Sequence, residues 1–323
     1  MMRQGLLALS FPFAGIATAE ELTLQFPVDC TLGHTCYIQQ YMDRDPDEGF
    51  RDYHCSGLSY DGHKGTDFAL PSRAAMEAGV DVRAAADGRV LGFRDGMTDA
   101  GWSEETAASI EGKECGNGVV LVHPGGWETQ YCHMKQGSIA IRNDQTVKAG
   151  DILGQIGQSG RAEFPHLHIS VRKGGKPVDP FDPDGVLSCG TPGDSTLWED
   201  TPPYLPGGFV GVGLSDTLPS YKDVKAGRAA LTEVPPNASA MVVYGFSYGT
   251  QKDDVVRLEI IGPDGIVISQ DSILERNHAQ AFRAVGKRRR ALESWEEGVY
   301  VGKATLLRDG QVLTTRQAEI TVK

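Results

Sequence analysis

Residues 116–134, GNGVVLVHPGGWETQYCHM, set two runs of apolar and β-favouring residues on either side of a proline-glycine break. Val, Trp, Thr and Tyr suit a pleated, half-buried surface, while Pro124, Gly125 and Gly126 interrupt it. The stretch predicts a β-hairpin, with HPGGWE as the loop between strands at 119–122 and 128–133. Working outward, VDVRAAADGRVLGF (80–93), IAIRNDQTVKAGDILGQIG (139–157) and HLHISVRKGGKPV (166–178) each join a similar run to a turn signal. The exception is GMTDAGWSEETAASIEGKECG (96–116), in which Ser103 is placed to cap a short helix running through Ile110. It reads as an insertion between strands.

The remainder of the chain keeps the β character. With 323 residues, two domains of ordinary size fit, and 40 glycines exceed the usual share of about 7 %. Residues 189–208 are dominated by Pro and Gly without periodicity and are read as a linker. Beyond it, Val256, Leu258 and Ile260 alternate with Arg257 and Glu259, a turn follows at Pro263-Asp264-Gly265, and residues 298–322 repeat the pattern around Asp309-Gly310. Alternating strands at hairpin spacing predict an immunoglobulin-like β-sandwich over 209–323. The fold class expected is therefore mainly β.

A net charge of −12 argues against nucleic acid, which draws its binding energy from clustered cations. The one basic run, residues 287–290, reads as a solvated loop. The first 19 residues combine a cationic start at Arg3, an apolar stretch at 6–16 and an A-x-A site at Ala17-Thr18-Ala19, the pattern of a signal peptide. No segment reaches the roughly 20 apolar residues of a membrane span, so an exported protein, periplasmic or extracellular, is expected. Six cysteines (30, 36, 55, 115, 132, 189) agree with an oxidising compartment, and the absence of C-x-x-C disfavours a thiolate zinc or redox site. Cys30 and Cys36 are close enough to close a small loop, with Cys55 an open partner for either.

Chemistry enters through YDGHKGTDFALP (60–71) and EFPHLHIS (163–170). On an extended strand, positions two and four apart share a face, so His63, Asp67 and His168 can converge from neighbouring strands. Two imidazoles and a carboxylate suit a zinc ion with one position left open for water. Each element alone is a common accident. The combination gains weight from QYCHM, ending a strand at His133, and from the glycine-rich AGDILGQIGQSG before the H-x-H pair.

Taken in order, GHKGTDFAL, VRAAADGRVLG, GNGVVLVHPGGWETQYCHM, VKAGDILGQIGQSG, PHLHISV and VDP, over roughly residues 60–180, resemble the lysostaphin-type (LytM-like) zinc metallopeptidases, which cut peptide bonds in bacterial peptidoglycan. The resemblance implies a lysostaphin-type (duplicated hybrid motif-like) antiparallel β catalytic domain within residues 20–188. It also implies one zinc ion held by His63, Asp67 and His168, with His133 and His166 as catalytic histidines that do not bind metal. Zinc would lower the pKa of water from about 15.7 towards 7. In the absence of an H-E-x-x-H glutamate, histidine is left as the base: His133 for that role and His166 as oxyanion donor, with the two exchangeable.

Peptidoglycan stem peptides or cross-bridges are the implied substrate, and the C-terminal domain is free to contact the wall or a protein partner. A non-hydrolytic regulator of the same fold and a lipoyl-like carrier are competing readings. The intact set of five residues favours the enzyme over the first, and no lysine at a suitable hairpin tip supports the second. His34, His54, His123 and His278 read as structural or surface residues, Trp127 and Tyr131 as core or cross-strand pairs, and Asn117 as a turn residue.

Overall fold

The computed structural model describes residues 21–185 and 195–323. The expected signal peptide (1–19), Cys189 and the start of the expected linker lie outside the described residues.

The first half contains ten strands: β1 (Tyr37–Gln40), β2 (Thr66–Ala69), β3 (Asp81–Arg83), β4 (Gly88–Arg94), β5 (Asn117–His123), β6 (Trp127–Met134), β7 (Thr146–Val147), β8 (Ile152–Gln155), β9 (His166–Lys173) and β10 (Lys176–Val178). Two helices interrupt them, α1 (Arg73–Ala78) and α2 (Ala107–Ile110). The main sheet has the order β1-β2-β9-β6-β5-β4-β7, with β10 paired to β9 and β3 paired separately to β8, all antiparallel. The hairpin expected at 116–134 is β5/β6, closed by a 3₁₀ turn at Pro124–Gly126. The β9/β10 hairpin turns through Gly174 and Gly175, both at positive φ, the geometry a two-residue turn between twisted strands requires.

Strand β9 shows why the site forms where it does. Leu167 and Ile169 are fully buried in the core with Phe68, Leu121 and Leu153, and fully burying such side chains contributes about 1.5–3 kcal/mol each. Because the side-chain period is two, anchoring that face turns His166 and His168 to the opposite one.

The inserted segment departs from expectation. Its helix is limited to Ala107–Ile110 with Thr106 before it. Ser103 does cap, but it caps the turn that leads into the helix, accepting the Thr106 N–H on Oγ at 3.3 Å and the Ala107 N–H on its carbonyl at 3.0 Å, while the Thr106 hydroxyl bonds back to the Gly101 carbonyl at 2.9 Å. The local side-chain bonds compete with helix at 103–106 and delay its start. The disulfides Cys30–Cys36 and Cys115–Cys132 form, and Cys55 is disulfide-bonded as well. No helix among the described residues is long and apolar enough to cross a membrane.

The second half is a two-sheet sandwich. Strands β11 (Gly208–Ser215), β12 (Glu233–Val234), β13 (Ala240–Thr250), β14 (Val255–Gly262), β15 (Gly265–Ile273), β16 (His278–Arg288), β17 (Gly298–Arg308) and β18 (Gln311–Val322) form sheets ordered β11-β13-β16 and β12-β18-β17-β14-β15, with α3 (Tyr221–Ala226) after β11. Leu214 and Val243 of one sheet share a core with Leu258, Ile260 and Leu306 of the other. Leu197 and Trp198, within the stretch read as a linker, are buried in the first core.

The two halves meet over an apolar seam of Tyr37 and Ala69 against Val210, Val224, Phe246 and Tyr248. Gln39 Nε2 donates to the Ala279 carbonyl at 2.9 Å, Gln280 Nε2 donates to Gln39 Oε1 at 3.1 Å, and Arg316 donates to the Gly33 carbonyl.

Candidate metal centre and catalytic cleft

Asp67 on β2 lies directly opposite His168 on β9, and His166 opposite Ala69 one step along the same face. His133, next to last in β6, comes from the strand on the other side of β9, where Cys132 pairs with His168. Three adjacent strands thus deliver four of the five expected residues.

His63 arrives differently from the strand geometry expected of it. It precedes β2 in a turn, with its N–H donating to the Tyr60 carbonyl at 3.0 Å. Its ring is aimed by two contacts: Nδ1–H donates to the Tyr41 carbonyl at 2.6 Å, and the Tyr60 ring stacks at 4.4 Å between centroids. The convergence holds although the pleat does not produce it.

Three donor atoms meet at one point. Asp67 Oδ1 lies 3.1 Å from His63 Nε2 and 2.8 Å from His168 Nδ1, and those two nitrogens are 3.1 Å apart. A tetrahedral ion with bonds of about 2.0–2.1 Å sets its ligand atoms about 3.3 Å apart, so the observed triangle has the dimensions of one face of such a site. The tautomers agree. With the far nitrogen of His63 committed to Tyr41 and that of His168 2.9 Å from the Ser170 hydroxyl, the near nitrogens are the ones placed to bind an ion beside the carboxylate. These three donor atoms, two of them on almost fully buried residues, form a group that could hold a metal ion.

The charges follow from the packing. Burial opposes ionisation of Asp67, but the surrounding histidines hold its carboxyl well below the usual range. Burial pulls His63 down, and the Asp67 carboxylate more than offsets it, leaving the pKa raised. His133 is held well below the usual histidine range by burial and then by His166 and His168, and burial also lowers His166.

His133 and His166 stand side by side, 4.6 Å between ring centroids. His133 Nδ1–H donates to the Ser159 carbonyl at 2.8 Å and His166 Nδ1–H to that of Phe164 at 2.9 Å, which leaves both Nε2 atoms for the cleft. His166 Nε2 is 3.8 Å from Asp67 Oδ1. His133 occupies the left-handed region at φ 63°, where a non-glycine residue is uncommon. It is held there from both sides, donating its N–H to the Cys115 carbonyl at 2.8 Å and accepting from the Gly157 N–H at 3.0 Å. A cavity of about 780 Å³ opens over these residues, lined by Asp67, His133 and His166 with Tyr60, Trp102 and Arg161. The insertion therefore reaches the cleft, through Trp102.

His123 is structural, bonded to the Asp87 carbonyl at 2.7 Å and the Thr129 hydroxyl at 2.8 Å, and Trp127 and Tyr131 are core. Asn117 is more than a turn residue. It is fully buried, exchanges two 2.8 Å bonds with the Met97 backbone and donates to the Met134 carbonyl at 3.1 Å, clasping the chain next to His133. Sequence reading passed over Ser170 and Tyr60. Ser170 continues the H-x-H alternation by one more step and was legible there, whereas the stacking of Tyr60 on His63 depends on a turn that periodicity does not describe.

Residues 61–180 match the sequence model of Peptidase family M23. The chain is 36 % identical over 118 residues to the DD-carboxypeptidase/endopeptidase Mpg of Neisseria meningitidis serogroup B, covering 36 % of this chain and 22 % of that protein. It is 30 % identical over 122 residues to the peptidoglycan DD-endopeptidase ShyB of Vibrio cholerae, covering 38 % and 23 %. The match thus spans less than a quarter of the length of these relatives. Among solved structures, Helicobacter pylori Csd3 aligns at 23 % identity and a TM-score of 0.32, over 50 % of this chain and 35 % of that one.

Proposed function

Since residues 61–180 are a domain of Peptidase family M23, we propose that this protein is a zinc-dependent endopeptidase that hydrolyses peptide cross-links in bacterial peptidoglycan. The observation that carries the proposal is the triangle of His63, Asp67 and His168 donors beneath a cleft that also receives His133 and His166. The names of the relatives, DD-endopeptidases of peptidoglycan among them, support the substrate class.

His63, Asp67 and His168 would hold the ion, with Tyr41 and Ser170 orienting the rings. Zinc in that place supplies a Lewis acid and a lowered water pKa. The rest of the reaction falls to the chain. His133, kept neutral by burial and fixed through Ser159, takes the proton from the attacking water and returns it to the departing amine. His166, whose Nδ1–H is committed to the Phe164 carbonyl, faces the oxygen of the tetrahedral intermediate with a proton on Nε2 only as the imidazolium, the form that the Asp67 carboxylate 3.8 Å away favours against burial.

We assign residues 20–188 to the peptidase domain, 209–323 to an immunoglobulin-like sandwich and 1–19 to a signal peptide, with 189–208 a connection whose Leu197 and Trp198 pack into the peptidase core. The disulfides support an oxidising compartment outside the cytoplasm. The test is muropeptide analysis of purified sacculi incubated with the mature protein, with His168→Ala and chelator controls. Loss of cross-linked dimers that requires both His168 and metal is expected. A folded, zinc-loaded protein that leaves sacculi intact refutes the enzyme and favours a wall-binding regulator.

A further inference from the structure

The cleft over His133 and His166 is not closed by the peptidase half alone. Tyr221 and Lys225 of α3, with Gln280 of β16, line its outer wall. The same three residues, together with Glu163 and Phe164, line a second cavity of about 500 Å³. The two hollows therefore share a wall along the seam between the halves.

The second cavity has a charge opposite to that of the chain. In a protein of net charge −12, its lining carries Arg73, Lys222, Lys225 and Arg228 against one carboxylate, Glu163. Arg73 is occupied, donating to the Asp99 carbonyl and to Gln158 Oε1 at 2.9 Å each, and Arg228 pairs with Asp223 at 3.2 Å. The two lysines have more to offer. Lys225 Nζ makes one long contact of 3.4 Å with the Glu163 carbonyl and lies 5.6 Å from the centre of the Tyr221 ring. An ammonium carries three N–H donors, so capacity remains for an anion. Leu70, Pro71 and Phe246 supply apolar walls beside this charge.

We propose that this interdomain cavity is a substrate subsite that binds a free carboxylate of an acidic peptide through Lys225 and Lys222, so that the C-terminal sandwich helps select the substrate. The inference rests on the peptidase reading for the identity of the peptide. It does not rest on it for the binding. Lys225 and Lys222 are specificity-determining residues here and take no part in bond cleavage.

The experiment uses the full zinc-loaded chain and the wall stem tetrapeptide L-Ala-D-Glu-diaminopimelate-D-Ala, which has no cross-link to cut, beside its fully amidated counterpart. Isothermal titration calorimetry should give a Kd that rises about tenfold for Lys225→Gln and further for the Lys222→Gln/Lys225→Gln pair, the loss expected of a charge-assisted contact. The amidated peptide should bind weakly to all three proteins, and added salt should narrow the difference between peptides. On cross-linked substrate the same variants should raise KM and leave kcat within about twofold, the signature of lost uniform binding. Melting temperatures equal to wild type verify that the variants fold. Equal affinity for acidic and amidated peptides, or unchanged Kd in the double variant, overturns the subsite. If the acidic peptide binds as described while sacculi remain intact, the peptidase reading falls and the subsite stands. If sacculi are cut while neither peptide binds, the reverse holds.

Discussion

Gly65 lies immediately before β2, and its replacement by alanine is the most exacting probe of how closely the metal site is built. A Cβ at this position would lie 2.4 Å from the Ile169 carbonyl oxygen and 2.7 and 2.8 Å from two atoms of the His168 ring. Real Cβ atoms essentially never approach within 3.0 Å, so the gap must open by several tenths of an ångström or the His168 ring must turn away. Either movement is large beside a donor triangle with sides of 2.8–3.1 Å. Overpacking of this kind costs about 1–3 kcal/mol of stability, and misplacement of a site by 1 Å can cost about 10²-fold in rate. Gly65→Ala should bind zinc about 10–100-fold more weakly in competition with a chromophoric chelator, as expected when a ligand's support is lost, and should melt a few degrees lower. Gly92→Ala is the control, because its Cβ would meet nothing within 4 Å and its backbone is not in the left-handed region. A Gly65→Ala protein with the zinc affinity and melting point of wild type would refute the tight approach of β2 to β9.

Ser170→Ala removes the hydroxyl that stands 2.9 Å from His168 Nε2 and should weaken zinc binding about tenfold in the same competition, with Ser170→Thr restoring much of it. Asn117→Ala leaves the half-buried Met97 amide and carbonyl without this partner and removes one of two bonds to the Met134 carbonyl, which keeps the Ser159 hydroxyl, and urea unfolding should show a loss of about 1–3 kcal/mol. Burial pushes the Asp179 carboxyl up to about 6 against the pull of the Phe181 N–H and Arg44. The fold therefore favours its protonated form: the stabilising contribution is complete below about pH 4 and is lost as pH rises through 6. Unfolding free energies of wild type should fall relative to Asp179→Asn across that window by on the order of 2–3 kcal/mol, and parallel profiles would refute the assignment.

The β5/β6 hairpin was legible because apolar alternation and a Pro-Gly-Gly break are both local signals. The meeting of Asp67 with His168 was legible only as a possibility. Alternation gives the face of each residue, whereas the register that sets them opposite one another depends on which strands pair across a sequence separation of 101. His63 was placed with the right partners for an insufficient reason, since a turn held by Tyr41 and Tyr60 aims it and no strand pleat does. Ser103 was legible as a cap, whereas the late helix start at Ala107 was not, because the Thr106 hydroxyl bond to the Gly101 carbonyl holds a turn before it. Least legible was the share of α3 in the cleft, for nothing in a linear pattern states how two separately folded halves dock.

Strand β9, which carries His166 and His168, has β2 and β6 on its flanks and further strands beyond each of them. Amides so placed exchange with solvent only when the whole sheet opens, whereas those of short border strands such as β7 exchange through local fraying. Heat inactivation should therefore have no early phase: activity should persist while the margins of the sheet loosen and should vanish together with the last protected amides. For this protein a hydrogen-exchange map of β9 would serve as a lifetime assay of the catalyst.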